Sequence, residues 1–398
     1  MRKDQNILDG TYEVPQKVVE DLKKVYPYFR IEPGRDDFVR HGNEFAHPFA
    51  AEAMSMDVAA AIEGMRSPDK TKEQMRGERQ ALIDANKQYW DQIDAEHPEF
   101  EKYGYWEEYD VDGCAEEPDA PKVHVVVRRL RESFKKGPYP VVLFIPVSGL
   151  YQADPWTAAN APITKYFGCQ LIVPWIRVFP DAEYPAAVND LHAVYQWMIE
   201  NAEKLEIDAD RIVIIGGSSG GHLAAALPFR LKRYNWCGGP MPRGVVTMDS
   251  FYDDRETTRS MRTLYKSWDG LANRLTNMRY MGMNFASGFI GPEAYANHAT
   301  IDECRGLPPY AIYQNQDCPG CDPAIEFMQK LNEAGVFCSF YMGGGTTYVG
   351  NPNVRVWQLF CATGDPYEPT VGIDAVARMD AFYVGHITDF LQYDLRRQ

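Results

Sequence analysis

The sequence has no apolar run near the ~18 residues that a membrane-spanning helix needs. Its opening, MRKDQNILDGTYEV, lacks the apolar core of a secretory signal, so a cytoplasmic location is the expectation. Positive charge is in deficit. There are 41 Lys and Arg against 56 Asp and Glu, a formal net charge of −15. Nucleic acid is therefore not an expected partner, because phosphate binding needs a basic footprint. Anionic substrates would be repelled on approach, which favours neutral ones. The basic run RRLRESFKK (128–136) is expected to be a solvated turn between strands. Eight cysteines are scattered along the chain, which fits reduced thiols better than a disulfide framework. The exception is CPGC, Cys318 to Cys321, with no second CxxC and no HxxxH to complete a zinc site. It is expected to be a pair of loop thiols, with a redox pair or a metal ligand as alternatives. No metal or cofactor is expected.

What is present is a large apolar complement. Hydrophobic residues make up 45% of 398 positions, and charged residues 24%, values of an ordinary globular chain with a sizeable core. The first hundred residues have helical spacing. Val18, Val19, Leu22 and Val25 share one face, and Met54, Val58, Ile62 and Met65 another. After about residue 104, short β-branched runs alternate with helical stretches. The runs are YWEEYDVDG (105–113), KVHVVVRRL (122–130), YPVVLFIPV (139–147), CQLIVPWIR (169–177), RIVIIGG (211–217), GVVTMDS (244–250), PYAIYQ (309–314) and FCSFYM (337–342). Continuous apolar strands separated by helices imply a mostly parallel sheet covered on both faces. The short turns between the first runs point to an antiparallel start. The expected organisation is a helical cap over residues 1–103 and an α/β core over 104–398. A helical insertion is expected at about 254–300.

One stretch carries chemistry: IVIIGGSSGGHLAAAL, Ile212 to Leu227. An apolar strand runs into glycines and serines, and an alanine-rich helix leaves them. GGSSG (216–220) fits the G-x-S-x-G turn that presents a nucleophilic serine, with Ser218 at the apex. GSSGG (217–221) would place Ser219 there instead. A phosphate loop is excluded by the absence of Gly-Lys-Ser/Thr, and the G-x-G-x-x-G spacing is not met.

This segment resembles the G-D-S-A-G-G-N-L-A segment of the hormone-sensitive-lipase-like carboxylesterases, within the α/β-hydrolase superfamily. Three further blocks are similar and in the family's order. They are WIRVFPDAEYPAAVNDLHAVYQWM (175–198), ATIDECRGLPPYAIYQNQD (299–317) and AIEFMQKLNEAGV (324–336). The resemblance spans roughly 104–345. It implies an α/β-hydrolase fold with an N-terminal helical cap, and Ser218 as nucleophile. It gives Ser219 the role of donating a backbone N–H to the oxyanion. His222, where the family usually has Asn, is then structural. Asp317 is the implied acid, with Asp322 as the rival, and a homodimer is a candidate assembly.

Two departures stand out. The family's H-G-G-G oxyanion loop is replaced by PVSG, Pro146 to Gly149, leaving Ser148 and Gly149 as candidate donors with Ser219. Val147 prefers β conformation and would re-aim the loop. In YMGGGTTY (341–348), Thr346 stands where the family places its catalytic histidine. Threonine is no base near neutral pH. Among the other histidines, His386 is expected in a final helix, and His41, His47 and His97 in the cap. His298 lies in the insertion, His192 in a helix and His124 in a strand. Three readings follow. The first is a carboxylesterase of neutral, small to medium acyl esters with an atypical triad. The second is a disabled hydrolase-like binding or sensor protein, for which the family's plant gibberellin receptor, which lost the histidine, is a precedent. The third is lyase- or dehydratase-like chemistry on the same scaffold.

Overall fold

The computed structural model describes residues 71–96, 98–148, 152–153, 164, 167–264, 280–282, 290–316, 318–343 and 385–396. The helices expected over 18–29 and 54–65 lie outside these, as does much of the expected insertion. The cap segment is described only by helix α1 (Lys72–Glu96) and a 3-10 turn, Pro98–Lys102. Arg76 and Arg79 of α1 both pair with Asp181, fastening this helix to the loop that precedes α2 (Ala186–Glu200).

The strands are β1 (Gly104–Val111), β2 (Val123–Leu130), β3 (Tyr139–Ile145), β4 (Val147–Ser148), β5 (Gln152–Ala153), β6 (Gln170–Trp175), β7 (Ile207–Gly217), β8 (Gly244–Met248), β9 (Tyr310–Asn315) and β10 (Cys338–Gly343). Eight of them form one sheet in the order β1-β2-β6-β3-β7-β8-β9-β10. The β1/β2 and β2/β6 pairs are antiparallel, and every pair from β6 to β10 is parallel. The period of two along each strand divides the core between the faces. Val141, Leu143, Ile145, Ile212 and Ile214 pack with Leu191 of α2, with Leu223 and Leu227 of α3 (Ser218–Arg233), and with Phe327 of a later helix. Val142, Phe144, Val213 and Ile215 face the other way, onto Ile387, Phe390 and Leu391 of a helix over 385–392. His386 stands in that helix, within ring contact of Phe390. Burial on both faces is why these strands are apolar at nearly every position.

The loop between β6 and α2 is held by Arg177, which donates to both oxygens of Glu117 (2.7 and 2.8 Å) and to Asp190 (2.7 Å). This pairing holds the Glu117 carboxyl down to about 2. The basic run 128–136 is only partly the solvated turn its charge suggested. Residues 131–136 are exposed, but Arg128 and Arg129 belong to β2 and are buried. Arg128 lies over the Trp106 ring, and Arg129 pairs with Glu107 (2.9 Å) and Glu206 (2.6 Å). A long stem and a planar charged head let arginine enter a strand whose neighbours supply carboxylates and rings.

Among the described residues, no helix is long and apolar enough to cross a membrane.

Candidate active site

β7 delivers its chain into α3 through Gly216, Gly217 and Ser218 at the carboxyl end of the sheet, where open α/β sheets bind ligands. Gly217 is extended, with φ −117° and ψ 157°, and Ser218 has φ +55°. A positive φ is costly for a residue with a Cβ, and it turns the Ser218 side chain out of both strand and helix. The glycines have a steric cause. A Cβ on Gly216 would come within 2.4 Å of the Gly220 carbonyl oxygen, and one on Gly220 within 2.1 Å of the Ile145 carbonyl oxygen. A Cβ on Gly221 would lie 1.8 Å from Ser250 Oγ. The turn is therefore pressed against the end of β3 on one side and the segment after β8 on the other.

The end of β3 leads directly to the candidate oxyanion loop. Val147 and Ser148 do not continue the main sheet. They form a small antiparallel ladder with Gln152 and Ala153. Gly149 lies outside the described residues. Ser219 is fully buried at the start of α3, where the first backbone N–H groups of a helix have no partner within it. Its hydroxyl has no hydrogen-bond partner among the described residues.

Asp317 and Thr346 also lie outside the described residues, so the acid and the histidine position remain expectations from the sequence. The chain leading to Asp317 is described. Gln314 and Asn315 end β9, and both are anchored on Asp249 at the end of β8. Asp249 accepts from Gln314 Nε2 (3.0 Å), the Asn315 backbone N–H (3.1 Å) and Asn315 Nδ2 (2.5 Å). It is fully buried with φ +47°, and it follows Met248, the register partner of Gly217. Ser218 and Asp249 thus succeed paired positions on neighbouring strands. The sequence reading missed Asp249. Its signal was an acidic residue directly after the strand GVVTM. The rival acid Asp322 is engaged elsewhere, accepting from the Ser260 N–H at 2.7 Å.

Two imidazoles surround the start of α3, and both are committed. His222 Nε2 lies 2.6 Å from the Ala294 carbonyl oxygen, which can only accept, so Nε2 carries the proton. The ring stacks on Tyr295 and meets Tyr280 edge-on, each at 4.8 Å. Burial pushes its pKa down to about 4. His298 lies 2.7 Å from Asp254 and 3.6 Å from Asp253. Burial opposes its charged form, but hydrogen bonds and charge from the two aspartates outweigh this and raise its pKa. His192 is buried in α2 and His124 lies in β2, matching their expected elements.

Among the described residues, two groups could bring metal-ligating atoms together: Cys114, Glu116 and His192, and Asp253, Asp254 and His298. In the second, protein cations already serve the carboxylates. Arg255 donates to Asp253 through Nε (2.8 Å), and Asn297 adds a bond of 3.0 Å. In the first, Arg230 stands 3.4 Å from Glu116.

A family model described as the alpha/beta hydrolase fold matches residues 147–349. The chain belongs to this α/β-hydrolase family. The assignment agrees with the likeness to hormone-sensitive-lipase-like carboxylesterases in the GGSSGG segment. Among curated relatives, this chain is 32% identical to the esterase LipI of Mycobacterium tuberculosis over 201 residues, 50% of this chain and 61% of that one. It is 25% identical to the acetyl esterase of Salmonella paratyphi A over 182 residues, 43% and 51% of the two chains. The chain thus spans about half to three fifths of the length of these relatives. Among solved structures, a bacterial heroin esterase superposes with a TM-score of 0.63 at 22% identity, over 79% of this chain and 93% of that one. That likeness is one of fold.

Proposed function

We propose that the protein is a serine carboxylesterase acting on neutral, small to medium acyl esters, with Ser218 as nucleophile. The observation that carries this reading is the backbone at Ser218: a positive φ at a strand-to-helix turn where Gly216, Gly220 and Gly221 have no room for a Cβ. Strained backbone conformations of this kind cluster at functional sites, and this one stands at the carboxyl end of the sheet. Kinship with esterases supports the same reading. Ser218 Oγ attacks the acyl carbonyl carbon. The oxyanion is received by the Ser219 N–H at the start of α3, where the helix dipole favours negative charge, and by N–H groups of Ser148 and Gly149. The alcohol leaves, and water releases the acid from the acyl-enzyme. Asp317 orients and stabilises the proton-accepting group. The cap over residues 1–103 and the insertion at about 254–300 select the acyl and alcohol parts.

The proton acceptor is the unfilled role, because the histidine position is Thr346. Loss of a triad histidine costs on the order of 10⁶-fold in a serine protease, while binding and the oxyanion hole alone retain about 10³–10⁴-fold. Slow ester turnover is expected. It is read as p-nitrophenol release from short-chain esters, and Ser218→Ala should abolish it. Thr346→His should raise it by orders of magnitude. Equal rates for the protein and Ser218→Ala would overturn the assignment. The same Thr346 favours a second reading, a binding protein, which predicts saturable ester binding with no Ser218-dependent release.

A further inference from the structure

CPGC has no part in the hydrolytic machinery, yet the fold arranges it with care. Cys318, Pro319, Gly320 and Cys321 form one turn, with proline and glycine at its central positions, and the Cys321 N–H donates to the Cys318 carbonyl at 2.9 Å. Gly320 has φ −73° and ψ −2°, close to the third residue of a type I turn. A hydrogen-bonded turn of this kind brings its end Cα atoms within about 7 Å, and a disulfide needs about 4.4–6.8 Å. The backbone of the turn is thus compatible with a bridge, and both cysteines are thiols in this structure.

The turn is fixed from both sides. A Cβ on Gly320 would lie 2.5 Å from the Ser250 carbonyl oxygen, so the turn rests directly on the segment after β8. Ser260 Oγ donates to the Pro319 carbonyl at 2.8 Å, and the Asp322 N–H donates back to that hydroxyl at 3.1 Å. Little backbone freedom is left to lose on bridging. Cys321 is also the first residue of α4 (Cys321–Glu333), where the positive end of the helix dipole favours a thiolate. Cys318 and Cys321 are buried, as Cys169 and Cys304 are, and what sets the pair apart is the turn that holds two thiols together.

We infer that Cys318 and Cys321 form a reversible dithiol–disulfide couple, oxidised by exchange with a low-molecular-weight disulfide. Each cysteine sulfur loses its proton and the pair forms one S–S bond. The incoming disulfide gains both electrons and both protons and leaves as two thiols. The bond would close across the turn that rests on Ser250. Ser250 Oγ in turn occupies the space beside Gly221 in the first turn of α3. Oxidation should therefore shift the serine turn and lower hydrolysis. This second consequence rests on the esterase reading, whereas the couple itself does not.

The test uses the full chain equilibrated across glutathione and glutathione-disulfide ratios, acid-quenched, unfolded, alkylated with N-ethylmaleimide and digested. The peptide spanning 318–321 should lose two hydrogens in a single step and escape alkylation, with no glutathione attached, while the other cysteines alkylate fully. Dithiothreitol should reverse it. Both thiols alkylated at every ratio, two separate glutathione adducts, or stoichiometric zinc released from the reduced protein by Cys318→Ser would overturn the couple. If ester turnover exists, it should fall roughly tenfold or more with the oxidised fraction, since small misplacements at a nucleophile are costly. Cys318→Ser/Cys321→Ser should be insensitive to the ratio. A protein that forms the bond but hydrolyses nothing would remove the esterase reading and leave the couple in place.

Discussion

At the scale of single residues, the glycines around Ser218 differ in what they must avoid. A Cβ on Gly220 meets the Ile145 carbonyl, a backbone atom in the middle of the sheet that cannot rotate away. A Cβ on Gly221 meets Ser250 Oγ first, a side-chain atom, and then the Gly216 carbonyl oxygen at 2.8 Å. Gly220→Ala should therefore destabilise strongly, by about 3 kcal/mol or more, as overpacking against fixed backbone does. Gly221→Ala should cost less, and adding Ser250→Ala should recover part of that cost. Urea denaturation of the two single variants and the double variant checks this. Equal costs with no recovery would mean that the helix start tolerates neither change for another reason. The small residues of this turn are thus required by close approach as well as by the left-handed conformation of Ser218.

At the scale of elements, the candidate site depends on how the end of β8 grips the end of β9. The Asp249 carboxylate accepts three bonds from Gln314 and Asn315, while Gln314 Oε1 accepts one from the Ser250 N–H (3.1 Å). Asp249→Asn would turn one acceptor into a donor facing the donors of Asn315, leaving a buried clash of like groups. The expected cost is roughly 1–3 kcal/mol of stability, read as a lower Tm. Under the esterase reading, hydrolysis should lose kcat with little change in KM, because substrate contacts stay while the chain just before the proposed acid, Asp317, loses its anchor. A change in KM alone would make Asp249 a substrate contact rather than a positioning residue.

At the scale of the whole molecule, two buried histidines give stability opposite pH dependences. The folded pKa of His222 is about 4, below the ~6.5 of a free imidazole. Its contribution is present above pH 6.5 and is lost as pH falls towards 4, to a limit of roughly 3 kcal/mol. His298 is raised by Asp253 and Asp254, so its contribution is full below pH 6.5 and is lost as pH rises through its folded value. Tm should therefore decline on both sides of an optimum near neutrality. His222→Asn, which keeps a donor for the Ala294 carbonyl, should flatten the acid limb between pH 6.5 and 4. His298→Asn should flatten the alkaline limb and leave the acid limb in place. Thermal melts across pH check both, and an unchanged acid limb in His222→Asn would place its origin in the carboxylates.

The sequence alone determined the strands of the main sheet, because β-branched runs bounded by turns are a local signal, and its eight strands lie within a few residues of the expected runs, whereas the short β4/β5 ladder was not expected. It determined the serine turn for the same reason: strand, glycines and helix are contiguous. Tertiary structure decided what depends on chain brought from afar. Arg128 and Arg129 looked like a solvated turn until β2 met Trp106, Glu107 and Glu206. Asp249 had no visible role until β9 came alongside, and His298 none until it reached Asp254. Buried charges are decided in this way because the energy of a charge depends on the groups around it, which periodicity along a chain does not encode.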